Sequence, residues 1–156
     1  MKLSEHFTLM EATKSPTAER LSIDNTPDLA TVDKMKLVCT AILEPVRAHF
    51  GKPVSINSFF RSPRLNAEVG SKPGSQHVSG EAVDFEIPGV ANDEVARWVR
   101  DNLEYDQCLL EFHKPGIPDS GWVHVSYKPD GCRKECLTIS SSGTVKGLPE
   151  PLHPFS

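Results

Sequence analysis

Residues 75 to 84 read Ser75-Gln76-His77-Val78-Ser79-Gly80-Glu81-Ala82-Val83-Asp84, and Phe85-Glu86-Ile87 follow. From Ala82 to Ile87 the residues alternate as a β-strand does. Ala82, Asp84 and Glu86 share one face, while Val83, Phe85 and Ile87 share the other. An aspartate in the middle of such a strand needs a partner, because an unpaired carboxylate is very costly to bury. A metal ion is one such partner, and His77 lies seven positions upstream to share it.

A second stretch, Gly121-Trp122-Val123-His124-Val125-Ser126-Tyr127, sets a histidine in the middle of a run of β-formers. Taken alone, either histidine is more often structural than metal-binding. Taken together, His77, Asp84 and His124 supply three nitrogen and oxygen donors. Catalytic zinc sites use three protein ligands and keep the fourth position open, whereas four protein ligands mark a structural site.

The rest of the chain frames these two strands. Apolar residues at helical spacing (Leu29, Val32, Met35, Val38, Ile42, Leu43, Val46) predict a helix over about 28–50, kinked or divided at Pro45 and stopped by Gly51. Val54 to Phe59 predicts a strand, and residues 62–76 a loop with one short helical turn. Asn92 to Asn102 predicts a helix capped by Asn92 or Asp93. Gln107–Phe112 and Trp122–Tyr127 read as strands, with a last short one around Leu137-Thr138-Ile139. The expected class is α+β: a single domain over 1–156 with an antiparallel sheet and helices on one side. The core is expected at about 28–140, with a mobile tail at 141–156.

Composition removes several function classes. The net charge of -4 and pI near 5.8 argue against a nucleic-acid binder. No apolar run reaches the roughly 18 residues of a membrane span, and the N-terminus lacks a signal-peptide core. The expected protein is a monomer made in the cytoplasm, remaining there unless another route releases it. Cys39 and Cys108 read as core residues. Cys132 and Cys136 form C-x3-C in a polar turn, where a disulfide is open in an oxidising compartment.

The motifs S-x-H-x-x-G-x-A-x-D (Ser75 to Asp84) and W-V-H-V-S (Trp122 to Ser126) resemble those of the zinc D-Ala-D-Ala carboxypeptidase family, which includes many phage endolysins. Ser58-Phe59-Phe60-Arg61-Ser62 with Asn66 is similar to that family's S-x-[YF]-R-S-x-x-x-N segment. The opening Leu3 to Pro27 resembles a subgroup common in phage-derived proteins. The likeness spans about residues 3–127. It implies a small α+β domain with zinc held by His77, Asp84 and His124, where the metal polarises the scissile carbonyl and lowers the pKa of its water toward about 7. It implies that Arg61 binds a substrate carbonyl or carboxylate, a task suited to a planar guanidinium. Ser75 and Gln76 flank the first ligand and could contact substrate or support His77.

Many relatives carry an acidic residue three positions before the last histidine; here that position is Gly121. Glu111, within an apolar strand, is then the favoured general base, on the expectation that it pairs opposite His124, about 5 Å away at Cβ. A slip of one residue would turn it to the other face. Asp119, in a turn, is the alternative. His113 shares the parity of Glu111 and is a candidate for oxyanion stabilisation. The resulting expectation is a zinc peptidase acting on peptidoglycan stem peptides or cross-links, made without an export signal as a phage endolysin. An intracellular D-Ala-D-Ala dipeptidase and a non-catalytic wall-binding module are the other readings.

Overall fold

Thr8, Ser15, Asp28 and Ser62 each offer a side-chain oxygen to the backbone N–H three residues on, and each starts a helix. In the computed structural model, which describes residues 1–151, these are α1 (Leu9–Thr13), α2 (Pro16–Leu21) and α3 (Leu29–Val38), with α5 (Pro63–Glu68) further on. Between them lies α4 (Glu44–Phe50), joined to α3 without a break by a π-helical turn, Cys39–Leu43. Pro45 explains that turn. Its missing N–H interrupts the usual ladder, and the Glu44 N–H reaches back to Cys39 O instead. The kink expected at Pro45 is therefore a widened turn, and Gly51 ends the helix with a φ of 63°.

The sheet has six strands: β1 (Ser55–Ser58), β2 (Ala82–Glu86), β3 (Gln107–Glu111), β4 (Trp122–Ser126), β5 (Glu135–Ser140) and β6 (Gly143–Lys146). Their spatial order is β1-β2-β4-β3-β5-β6. Every pairing is antiparallel except β3 with β5, so the sheet is mixed rather than antiparallel throughout. The reason is local. Strand β4 returns the chain to the end where β3 begins, and Asp106 N–H donates to Ser126 O there. Residues 127–134 then pass to the far side of β3 and start a strand in its own direction. Strand β6 corrects the expected tail at 141–156, since residues 143–146 pair with β5; residues 152–156 lie outside the described residues.

The sheet divides its faces as the alternation predicts. Val83 and Phe85 of β2, Cys108 and Leu110 of β3, and Val123 and Val125 of β4 pack with Val32, Met35, Val38, Ile42, Val95, Ala96 and Val99. The last three belong to α6 (Asn92–Asn102). The capping role expected of Asn92 or Asp93 falls to Ala91, which makes no side-chain cap. The buried Asn92 amide instead donates to Glu86 Oε1 and to the carbonyls of Ser120 and Gly121, each at 3.1 Å. Among the described residues no helix is long and apolar enough to cross a membrane.

Gly80 joins the helical layer to the loop that carries His77. It has a φ of +74°, and a Cβ there would come within 2.8 Å of both Met35 Cγ and Thr31 Cγ2 on α3. Only a residue without a side chain can turn the chain there while the helix packs so closely. Gly80→Ala is expected to lower unfolding free energy by roughly 2–4 kcal/mol, from left-handed strain and overpacking together. Urea denaturation of the two proteins reads this directly, and an unchanged midpoint would refute it.

Candidate metal centre and active site

On the face away from α3, α4 and α6, Asp84 of β2 lies directly opposite His124 of β4. His124 Nδ1 is 2.8 Å from Asp84 Oδ1. The loop between α5 and β2 brings in His77, whose Nε2 is 3.3 Å from Asp84 Oδ2. All three side chains are buried, and one donor atom from each lies within 4.8 Å of the others. The other ring nitrogen of His77 donates to Phe59 O at 2.7 Å. That bond fixes the tautomer and leaves the Nε2 lone pair facing Asp84, as a metal-ligating histidine requires. A buried carboxylate between two imidazoles is a donor set that fits zinc.

A family model described as Peptidase M15 matches residues 5–126, a span that contains all three donors. The chain belongs to this peptidase family. No curated protein matches it. The family is zinc-dependent, so zinc is the metal that the His77, Asp84 and His124 cluster is suited to hold.

Among the protein groups, opposing effects act on Asp84. Burial pushes its carboxyl up, but the charges and hydrogen bonds of His77 and His124 outweigh it and hold the group well below the usual carboxylate range. For His124 burial works against the charged ring, yet the Asp84 carboxylate prevails and raises its pKa.

Arg61 closes one side of the cluster. Its Nε donates to Ser58 Oγ at 3.0 Å, its Nη1 to Asn66 Oδ1 at 3.3 Å, and its Nη2 lies 3.5 Å from Asp84 Oδ2. A bulge between Ile56 and Ser58 sets Ser58 opposite Asp84, which places it to hold the guanidinium. Asn66 is locked in turn by donating to Lys72 O at 2.8 Å. The spacing of Ser58, Arg61 and Asn66 is thus the spacing of one clamp.

Glu111 closes the other side, through a register that differs from the expected one. Leu109 lies opposite His124, and Glu111 opposite Trp122. The offset is two residues, so parity is kept and Glu111 remains on the site face as the diagonal neighbour of His124, with Oε1 3.7 Å from Nδ1. Burial first, and then the Asp84 charge, raise its pKa above the ordinary value. Gly121 shows why no acid stands three positions before His124. A Cβ there would sit 2.1 Å from Glu111 O and 2.6 Å from His113 N. The backbones of β3 and the turn before β4 leave no room for a side chain, and the nearby carboxylate comes from β3 instead. Asp119 is exposed in the loop.

The other expected residues fall differently. Ser75 Oγ accepts from His77 N–H at 3.3 Å and so supports the loop. The Gln76 amide donates to Asp106 Oδ2 at 2.9 Å. His113 does not join the cluster. Phe112 has a φ of 56°, which breaks the alternation after Glu111, and the His113 ring sits against Ser120 O and, at 3.7 Å, Asp93 of α6. From sequence, Trp122 has no role beyond its place in W-V-H-V-S. It shares the site face with His124, and its buried Nε1 sits beside the Glu111 carboxylate, just outside full hydrogen-bond geometry. Parity with His124 was the signal that marked it.

Asp106 links several of these parts. It is fully buried, and its carboxylate takes Gln76 on one side and a two-pronged Arg133 guanidinium, both bonds at 2.9 Å, on the other. The Arg133 bonds hold its carboxyl well below the ordinary range. With the folded pKa below the unfolded value of about 3.9, the stability from this group is present above that pH and is lost as pH falls through the folded value. Asp106→Asn should therefore lower the urea midpoint at about pH 7 and flatten its fall below about pH 4; an acid limb of unchanged steepness would count against this. Separately, Asp84→Ala and His124→Ala should each lose stoichiometric zinc after dialysis, read by elemental analysis with circular dichroism confirming the fold. Retention of a full zinc equivalent by either variant would overturn the ligand set.

Proposed function

We propose that the chain is a zinc peptidase that hydrolyses peptide bonds of peptidoglycan stem peptides or cross-links, with His77, Asp84 and His124 as metal ligands, and that it serves as a phage endolysin. One observation carries the reading. Three buried donors converge on one face of the sheet, with the Glu111 carboxylate 3.7 Å from His124 and the Arg61 guanidinium 3.5 Å from Asp84. The family match supports peptidase chemistry, and the likeness of Leu3 to Pro27 to phage-derived relatives supports the endolysin role.

A zinc ion held by these ligands supplies Lewis-acid activation of a carbonyl and of water. The chain's own groups do the rest. Glu111 takes the proton of the attacking water and returns it to the leaving amine, and a carboxyl whose pKa burial lifts above the ordinary value suits both transfers. Arg61, fixed by Ser58 and Asn66, receives a carbonyl or carboxylate oxygen of the peptide. The Trp122 N–H, buried beside Glu111, helps to steady that carboxylate.

Digestion of purified peptidoglycan by the zinc-loaded protein, with products identified by mass spectrometry, tests the reading. Chelator-sensitive release of defined muropeptide fragments is expected. Bound zinc with no release would favour a wall-binding module, and cleavage of free dipeptides with the wall untouched would favour a dipeptidase. Glu111→Gln should retain zinc while turnover falls by about 10²–10⁴-fold; full activity in that variant would pass the role to Asp119.

A further inference from the structure

The four cysteines are all free thiols, and two of them face each other. Cys108 of β3 and Cys136 of β5 are register partners in the parallel pair. Both point to the helix side of the sheet, where Cys108 is fully buried and half-buried Cys136 packs against the same core. Adjacent strands run about 4.7–4.9 Å apart, inside the roughly 4.4–6.8 Å between Cα atoms that a disulfide needs. The remaining thiols are placed elsewhere. Cys39 is buried in the π-helical turn, and Cys132 Sγ lies 3.4 Å from Lys128 O in the connection before β5.

We propose that Cys108 and Cys136 form an oxidative cross-linking site, a dithiol that a low-molecular-weight disulfide converts to an intramolecular disulfide joining β5 to β3. Cys136 is the partner that solvent reaches, and the hydrogen bond from Cys108, with Arg100 of α6 behind it, favours its thiolate. The Cys136 sulfur attacks one sulfur of glutathione disulfide. The reagent's S–S bond breaks and one glutathione thiolate leaves, taking up a proton. The Cys108 sulfur, giving up its own proton, then attacks Cys136, breaks the mixed disulfide and releases the second glutathione. Two protein thiols lose two electrons and two protons, and glutathione disulfide gains them. The bond closes a ring around β4 and the 112–121 loop while leaving the face of Asp84 and His124 untouched.

The test treats the folded full chain with glutathione disulfide, blocks the remaining thiols by alkylation and maps peptides without reduction. The expected result is a linked peptide holding Cys108 and Cys136 and the loss of two of the four thiols. The unfolding temperature should rise and return to its starting value with dithiothreitol. Cys132→Ser should keep the link; Cys136→Ser should abolish it and remove the redox dependence of the unfolding temperature. A Cys132–Cys136 linked peptide would overturn the proposal. So would a persistent glutathione adduct on Cys136, or four thiols left free.

Discussion

A carboxylate set in the middle of a sheet makes demands on everything around it. Asp84 is buried, with strands on both sides, and leaving it unpaired there would cost several kcal/mol. The molecule meets the demand from three directions. His124 comes from the neighbouring strand, His77 from a loop laid across the face, and Arg61 from the chain beyond a bulge in β1. Each of these needs further support: Phe59 O for His77, Ser58 and Asn66 for Arg61, and Gly80 to let the His77 loop turn back beneath α3. Without Asp84 those supports would hold three side chains with no common group to converge on.

The two faces of the sheet solve separate problems. One is a packed apolar surface under α3, α4 and α6, and it supplies the burial that holds the fold. The other carries the polar groups and owes its geometry to the first. The close approach at Gly121 illustrates the exchange between them. Tight packing of β4's entry against β3 excludes a side chain at that position, and the same packing brings Glu111 beside His124.

Much of this was legible in the residues. Alternation from Ala82 to Ile87 placed Asp84 on the correct face, and the three donors could be named from chemistry and spacing. Parity was legible for Glu111, although register was not, because a shift of two residues preserves the face that the alternation reports. His113 went wrong for the complementary reason: a left-handed Phe112 breaks the count, and a phenylalanine gives no hint of a positive φ. The parallel pairing of β5 was hidden because it depends on where the chain reverses, not on any local pattern. Gln76 reads as a residue that contacts substrate or supports His77, and nothing in its surroundings announces Asp106 thirty positions later.

The donors, Arg61, Glu111 and Trp122 all come from positions before residue 127, and the match to the family also ends there, at 126. The β5–β6 hairpin adds no group to the metal cluster, and the residues from Ser141 to Lys146 are exposed. Its turn at Ser141 and Ser142 is therefore a natural graft point. A peptide tag, a fluorophore or a targeting module inserted there would extend from an edge of the sheet far in strand order from Asp84 and His124.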